Sequence, residues 1–347
     1  MKIILKIFAS LLFVTSSFIM FSCSQPSPRY EKSLGTICFV NLYKQGKPAY
    51  YNEIFNRIDQ INTEFNTYIE AGDLYRINKF ACDEEVIVSD DVFTVIEMAQ
   101  KISALTDGSF DISVKPLVSL WHINTDSPHV ATEAEIAELL PLVDFKNILL
   151  NPEKKSVRLL KTGMEIDLGG IAKGFAADEI AKICKSHKIH RAVIDLGGNV
   201  YVYGKKAKNE LWNVGIKNPE LPDSAPLIKI ITPENSVVTS GLYERFFEQN
   251  QKRYHHILSP ETGSPVENEL TSVSVICHNS MIADALTTSF FVLGKTESLK
   301  LLPILQETFN LEISAVFIDK DHHITFSENF PYEYEILYDD WKVEGSN

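Results

Sequence analysis

The sequence predicts an α+β fold with a largely antiparallel sheet and packed helices. Segments of helical and strand periodicity alternate without the regular strand–helix–strand rhythm of a parallel sheet. Several short apolar segments also come in pairs joined by turn residues, which is typical of hairpins. The pentapeptide Ile-Asp-Leu-Gly-Gly occurs at residues 166–170 and again at 194–198, which raises the hypothesis of an internal duplication.

Six segments carry apolar residues at helical spacing and are predicted to be helices. They are residues 51–62, 91–105, 132–140, 171–187, 280–293 and 297–309. The segment 280–293 is apolar on nearly every side, so we expect it to be buried.

The remaining apolar segments predict short strands and two hairpins. Residues 147–160 form one hairpin, with its turn at Asn151-Pro152-Glu153-Lys154, and residues 313–318 pair with 323–326 in the other. Single strands are predicted at residues 192–194, 200–203, 212–216, 227–231, 236–239 and 271–277. No linker interrupts this order, so residues 32–347 are predicted to form a single domain.

Residues 1–22 predict a signal peptide of the lipoprotein type. Two lysines precede an apolar run, and Ser22 stands directly before Cys23, which resembles a bacterial lipoprotein cleavage site with Cys23 lipidated. Residues 23–31 would then be a polar tether. We therefore expect an exported lipoprotein, anchored in the membrane and facing the periplasm or cell exterior; the alternative is an uncleaved N-terminal anchor.

The charge and the cysteines exclude some classes of protein. The formal net charge is -13 and no run of basic residues is present, which argues against nucleic acid as a partner. After Cys23, the cysteines Cys38, Cys82, Cys184 and Cys277 lack the spacing of a zinc or redox site. We expect them to be small buried apolar residues, although export would permit a disulfide that the spacing cannot assign.

The first copy of the pentapeptide has the pattern of a phosphate site. It predicts a strand that ends in Asp167, two glycines, and then a helix that begins at Ile171-Ala172-Lys173-Gly174. Glycines let a backbone approach a ligand closely, and free N–H groups at a helix start attract anions. Glycine pairs also occur in ordinary turns, so the motif by itself leaves both interpretations open.

The apolar segment 280–293 contains a candidate metal site. Asp284 and Thr288 are four residues apart and therefore share one face of the helix. A carboxylate and a hydroxyl are hard oxygen ligands that suit Mg²⁺. The alternative is that Asp284 lies in the first turn and only complements the helix dipole.

Two further segments could border a ligand. His256 follows a short predicted strand and precedes a turn rich in Pro, Thr and Gly, and histidine suits proton transfer near neutral pH. A structural histidine is the alternative. Residues 108–117 predict a glycine-led loop that enters a strand and could bracket a ring or a sugar.

Together and in this order, these segments resemble the ApbE family, the FAD:protein FMN transferases, from about residue 35 to about residue 294. The resemblance is carried by Gly35-Thr36, Thr67-Tyr68, Gly108 to Leu117 with Trp121, Asp167 to Gly174 with Asp178, Leu196-Gly197-Gly198, Thr239-Ser240-Gly241, Tyr243-Glu244-Arg245, His256 to Pro265, and Asp284 to Thr288.

The resemblance implies an ApbE-like fold and an enzyme that holds FAD and Mg²⁺ in one cleft. It implies transfer of the FMN half of FAD to a threonine hydroxyl of a partner flavoprotein subunit, with release of AMP. His256 would be the catalytic base. The metal ligands would be a backbone carbonyl near Gly170, Asp284 and Thr288. The contacts to FAD would be Leu34, Tyr68, Ser109, Phe110, Asp111, Asp167, Lys173 and Ile257.

Two other functions use the same pocket. An FAD pyrophosphatase would need the same metal and phosphate cradle, with water in place of the threonine. A flavin-binding lipoprotein without catalysis would need the nucleotide pocket but would have no use for Asp284, Thr288 or His256.

Overall fold

The computed structural model describes residues 26–123, 125–207 and 210–344. The predicted signal peptide and Cys23 lie outside these residues. No helix within the described ranges is long and apolar enough to cross a membrane.

The described residues contain eight α-helices. They are α1 (Pro48–Glu64), α2 (Asp73–Phe80), α3 (Asp90–Leu105), α4 (Lys115–Trp121), α5 (Glu133–Leu139), α6 (Ala172–Ser186), α7 (Ser280–Leu293) and α8 (Lys295–Phe309). The six predicted helices are all present, with ends shifted by a few residues at most. Two short helices, α2 and α4, were not predicted.

Seventeen strands complete the described fold. They are β1 (Arg29–Ser33), β2 (Thr36–Asn41), β3 (Val86–Ile87), β4 (Ile148–Asn151), β5 (Ser156–Leu159), β6 (Arg191–Leu196), β7 (Asn199–Gly204), β8 (Trp212–Ile216), β9 (Ile228–Thr232), β10 (Asn235–Gly241), β11 (Phe246–Gln249), β12 (Lys252–His255), β13 (Leu270–Cys277), β14 (Ile313–Asp319), β15 (His323–Phe326), β16 (Glu333–Ile336) and β17 (Lys342–Glu344). Strand β1 begins inside the segment predicted to be a tether, because residues 29–33 pair with β2.

One large sheet organises the molecule. Its nine strands follow the order β1-β2-β6-β7-β10-β13-β14-β15-β17, and only the last pair, β15 with β17, is parallel. The other described strands form a three-stranded sheet of β16, β9 and β8, a second three-stranded sheet of β3, β5 and β4, and a two-stranded sheet of β11 and β12. The predicted α+β class with a largely antiparallel sheet is confirmed.

Both faces of the large sheet are buried at its central strands β13 and β14. On β14, Ala315 and Phe317 belong to the main core, which also contains the apolar faces of α1, α3, α6 and α7. Their neighbours Val316 and Ile318 point the other way, into a second core shared with β8 and β9. Side chains alternate between the two faces of a sheet. The large sheet is therefore a middle layer, with helices on one face and the sheet of β8, β9 and β16 on the other.

Three of the four cysteines in the described ranges are buried, as predicted. Cys38, Cys184 and Cys277 lie in the main core, and burial raises the pKa of the Cys184 thiol to about 12. Cys82 is partly exposed, with its Sγ 3.1 Å from the carbonyl oxygen of Lys161. All four are free thiols.

The two copies of the pentapeptide adopt different structures. Residues 166–170 form an irregular segment and a turn before α6, so the predicted strand there is wrong. In the second copy, β6 continues through the tight turn Gly197-Gly198 into β7, and both glycines have positive φ, at 68° and 93°. The repeat in sequence therefore does not correspond to a repeated element.

The strand predicted within residues 108–117 is also wrong. Residues 112–114 form a 3-10 turn that leads into α4. The Asp111 carboxylate caps this turn by accepting from the backbone N–H of Ser113 at 2.7 Å, and Pro116 suits the first turn of a helix. An apolar run this short does not distinguish a strand from a helix by its periodicity.

Helices α6 and α7 approach most closely at Gly174. A Cβ atom on Gly174 would lie 2.2 Å from the carbonyl oxygen of Ser280 and 2.7 Å from the Cα atom of Met281, so only glycine fits there. One turn later, the Asp178 carboxylate accepts from the backbone N–H groups of Ser280 and Met281, both at 2.9 Å. Burial raises the pKa of Asp178 to about 6.

Replacing Gly174 tests this close approach. Helix propensity alone predicts that Gly174→Ala is stabilising. We expect the opposite, a loss of about 3 kcal/mol in the free energy of unfolding, because the methyl group meets backbone atoms that cannot rotate away. Urea denaturation followed by circular dichroism measures the change. Ser186→Ala, on the exposed end of α6, is the control and should change stability by less than about 0.5 kcal/mol. A stabilised Gly174→Ala protein would contradict the close packing.

Candidate active site

A single cleft of about 1500 Å³ gathers most of the residues predicted to be functional. Eleven of the twelve line it: Tyr68, Ser109, Phe110, Asp111, Asp167, Gly170, Lys173, His256, Ile257, Asp284 and Thr288. The exception is Leu34, whose side chain packs against the main core while the neighbouring Gly35 lines the cleft. Residues far apart in sequence therefore form one site.

Asp284 lies at the junction of α6 and α7. It is 3% exposed, and its Oδ2 accepts from the backbone N–H of Gly174 at 2.9 Å. Its Oδ1 lies 3.5 Å from the Lys173 ammonium. The Gly174 N–H is one of the free donors of the first turn of α6, so the carboxylate caps that helix from outside.

The alternative role for Asp284 at the start of its own helix is wrong. Helix α7 begins at Ser280 and is capped by Asn279, whose side chain accepts from the N–H of Ile282 at 2.9 Å. Asp284 lies beyond the first turn and complements the dipole of α6 instead of the dipole of α7.

Thr288 faces the backbone of Gly170. A Cβ atom on Gly170 would lie 3.5 Å from the Thr288 Oγ1 and 3.1 Å from the ring of Phe110. Thr288 is one helical turn beyond Asp284, so both side chains project from the same face of α7. A carboxylate, a hydroxyl and a glycine backbone thus converge where α6 begins, and a side chain at position 170 would fill the space between them.

The turn before α6 is held by its own polar groups. Asp167 Oδ1 accepts from the N–H of Gly169 at 2.7 Å, and the Lys173 ammonium donates to the Gly169 carbonyl at 3.3 Å. This arrangement places a cation and the N-terminus of a helix of fifteen residues at the cleft. Both features attract an anionic group.

His256 follows β12 directly and borders the same cleft. Its Nδ1 lies 3.2 Å from the Arg245 carbonyl oxygen. A carbonyl can only accept, so the proton is assigned to Nδ1 and the lone pair to Nε2. Burial, together with repulsion from the Arg245 guanidinium, lowers the pKa of His256 to about 3. The ring is therefore neutral at pH 7 and has an acceptor nitrogen available.

Residues 109–115 form one wall of the cleft, and its polar groups differ in whether they have hydrogen-bond partners within the protein. The Asp111 oxygens are both used within the protein, by Ser113 and by the N–H of Phe145 at 2.8 Å, and burial raises the pKa of this carboxyl. Asp111 therefore stabilises the conformation of this wall. In contrast, the buried Oγ of Ser109 has no hydrogen-bond partner in the described structure.

Several other residues of the cleft have no role predicted from the sequence. Lys115 is 4% exposed, and Glu244, Arg245 and Lys217 also contribute to the lining. Lys115, Glu244 and Arg245 lie within motifs that carried the resemblance, and those motifs were the available signal. Lys217 follows a strand of the smaller sheet, and nothing in the sequence places it near the others.

Comparisons with known proteins agree with this architecture. The family model described as the ApbE family matches residues 34–310. A relative from Treponema pallidum, named FAD:protein FMN transferase, is 34% identical over 84% of this chain and 84% of its own length. A relative of the same name from Klebsiella pneumoniae is 35% identical over 85% and 89%, respectively.

Solved structures show the same fold. The crystal structure of the ApbE protein from Thermotoga maritima is 31% identical, has a TM-score of 0.79, and aligns over 88% of this chain and 98% of its own. The flavin transferase ApbE from Vibrio cholerae, at 23% identity and a TM-score of 0.74, supports the fold alone. With the family model spanning most of the chain and relatives above 30% identity, the chain belongs to the ApbE family.

Proposed function

We propose that this protein transfers the FMN half of FAD to a threonine hydroxyl of a partner flavoprotein and releases AMP. The observation that carries the proposal is the neutral His256 in the same cleft as the oxygen groups of Asp284 and Thr288. The names of the relatives support flavin transfer as the reaction, and the cleft contains the groups that such a reaction needs.

The oxygen groups of α7 and of the turn before α6 fit a magnesium ion. Asp284, Thr288 and the backbone of Gly170 offer oxygen donors only, and Mg²⁺ prefers oxygen ligands while keeping water or substrate phosphate in its remaining positions. The space that a Cβ on Gly170 would fill lies beside the Thr288 hydroxyl. When bound there, the ion would neutralise charge on the phosphate oxygens.

The side chains of this protein have distinct roles in the proposed reaction. The Lys173 ammonium and the positive end of the α6 dipole would hold and orient the pyrophosphate of FAD. The Nε2 of His256 would accept the proton of the threonine hydroxyl. The threonine oxygen forms a bond to the phosphorus of the FMN phosphate, the bond from that phosphorus to the bridging oxygen breaks, and AMP leaves with that oxygen.

One experiment separates the proposed transfer from its alternatives. The mature protein is incubated with FAD and Mg²⁺, with and without a flavoprotein subunit that offers a target threonine. We expect fluorescent flavin on the acceptor in a denaturing gel, equimolar AMP, and loss of both with a chelator. FMN and AMP formed without labelled acceptor would indicate a pyrophosphatase. Bound FAD without either product would indicate a flavin carrier.

Two variants of Asp284 separate its proposed role as a metal ligand from its role as the cap of helix α6. Asp284→Asn keeps an oxygen that can accept from Gly174 but removes the charge, whereas Asp284→Ala removes both. We expect both variants to lose at least about 100-fold in transfer rate, while only Asp284→Ala loses about 1–3 kcal/mol of stability. Activity and urea denaturation measure the two effects. Full activity in the stable Asp284→Asn protein would contradict the metal assignment.

The pH profile tests His256. Its lowered pKa keeps the ring neutral as the pH falls, so the rate should stay level from pH 7.5 to 5.5 instead of declining near 6.5. His256→Gln should bind FAD normally yet lose roughly 100- to 10,000-fold in transfer rate. Measuring kcat/KM against pH, with FAD binding as control, checks both. A decline centred near pH 6.5 that His256→Gln abolishes would contradict the lowered pKa.

We also propose export and anchoring through a lipid on Cys23, as the N-terminal sequence predicts. Cells fed a labelled fatty acid should incorporate the label into the protein, and Cys23→Ser should abolish the incorporation and release the protein from the membrane fraction. Cys82→Ser is the matched control, because it removes a partly exposed thiol of the folded domain. Equal labelling of the wild-type and Cys23→Ser proteins would overturn the anchor.

A further inference from the structure

Lys115 is a buried cation in the cleft wall without an acidic partner. It is 4% exposed, and no carboxylate oxygen in the described parts of the chain lies within 4.0 Å of its ammonium. Its hydrogen-bond partners are neutral: the Ser119 Oγ at 2.8 Å and the Tyr68 hydroxyl at 3.5 Å. An ammonium has three protons to donate, so at least one has no acceptor among these side chains.

This placement is costly for the protein without ligand. A buried charge is normally paired or fully hydrogen-bonded, and a lysine side chain is long enough to reach solvent when nothing holds it. Lys115 instead remains within the wall, beside Tyr68. A ligand that brings an acceptor would offset the cost.

The surroundings of Lys115 suit an aromatic ring. The Tyr68 side chain is 79% exposed, and its ring centroid lies 5.1 Å from the Lys115 ammonium. The unpartnered Ser109 Oγ lies in the lining of the same cleft. An exposed aromatic face next to unused donors matches a planar heterocycle with acceptors on its edge. The groups that suit phosphate belong to a different helix, because Lys173 lies at the start of α6 and Lys115 lies in α4.

We propose that Lys115 is a specificity-determining residue that binds the acceptor edge of one of the two rings of FAD, with Tyr68 packed against that ring. The inference rests on the proposed function. Both rings carry suitable acceptors: the isoalloxazine has carbonyl oxygens and ring nitrogens, and adenine has ring nitrogens. The shared chemistry is an electron-rich edge of a heteroaromatic ring.

Binding measurements with FAD and its two halves test this role. Affinities for FAD, ADP and FMN are measured by calorimetry for the wild type, Lys115→Met, Lys115→Arg and Lys320→Met. Lys320 is the matched control, because it is exposed, also lacks an ion-pair partner in the described residues, and lies outside the cleft lining.

We expect Lys115→Met to weaken FAD binding by roughly 10- to 100-fold, the range for a hydrogen bond to a charged group. The affinity for only one of the two halves, ADP or FMN, should fall as well. Lys115→Arg should restore part of the affinity, and Lys320→Met should resemble the wild type. The ligand-free Lys115→Met protein should also melt a few degrees higher, because an unpaired buried charge has been removed.

Each outcome supports or overturns the inference. A loss confined to FMN assigns the isoalloxazine, and a loss confined to ADP assigns the adenine. Equal losses for both halves would mean that Lys115 acts on phosphate, and unchanged affinities would mean that it contacts no ligand; either result overturns the inference alone. A wild-type protein that binds none of the three ligands would overturn the proposed function as well.

A second variant covers the case in which Lys115→Met does not fold. Tyr68 is largely exposed, so Tyr68→Ala should fold normally. Tyr68→Ala should weaken the binding of one half of FAD, either ADP or FMN. It should be the same half whose binding is weakened in Lys115→Arg. Normal binding of all three ligands by Tyr68→Ala would overturn the stacked ring.

Discussion

The site depends on the close contact between helices α6 and α7 at Gly174. Before this glycine, Gly170 lies in the turn that precedes α6 and Lys173 lies in its first turn. The groups that face them, Asp284 and Thr288, belong to α7. A side chain at position 174 would separate the two helices, since its Cβ would meet the backbone of Ser280 at 2.2 Å. The distance between the two halves of the oxygen site is therefore set by the absence of a side chain.

The hydrogen bond from Gly174 to Asp284 gives this carboxylate two roles. It satisfies a free N–H at the start of α6, and it holds the Asp284 oxygens at a fixed position in the cleft. A buried carboxylate that is already ordered needs little rearrangement when a cation binds, which favours tight and specific coordination. The same contact also brings the Lys173 ammonium to the carboxylate, so the charges are partly balanced in the protein without ligand.

The cleft wall that contains α4 and the wall that contains His256 contact each other. The Trp121 indole N–H, at the end of α4, donates to the Gly263 carbonyl at 2.8 Å, in the turn that follows His256. A Cβ atom on Gly263 would lie 2.5 Å from a side-chain atom of Ile136, so the turn packs tightly on α5. The wall that holds Lys115 and the wall that holds the proposed base are therefore positioned by one small apolar cluster.

The sequence by itself determined six of the eight described helices, the main hairpins and eleven of the residues that line the cleft. Periodicity and turn residues are local, so they could be recognised in α6, α7 and the hairpin of β4 and β5. The ordered motifs carried the resemblance to the family. Only the tertiary structure decided that residues 112–121 are helical, that the two pentapeptides differ, and that Asp284 caps α6. These features depend on contacts between distant segments, whose energies local periodicity does not contain.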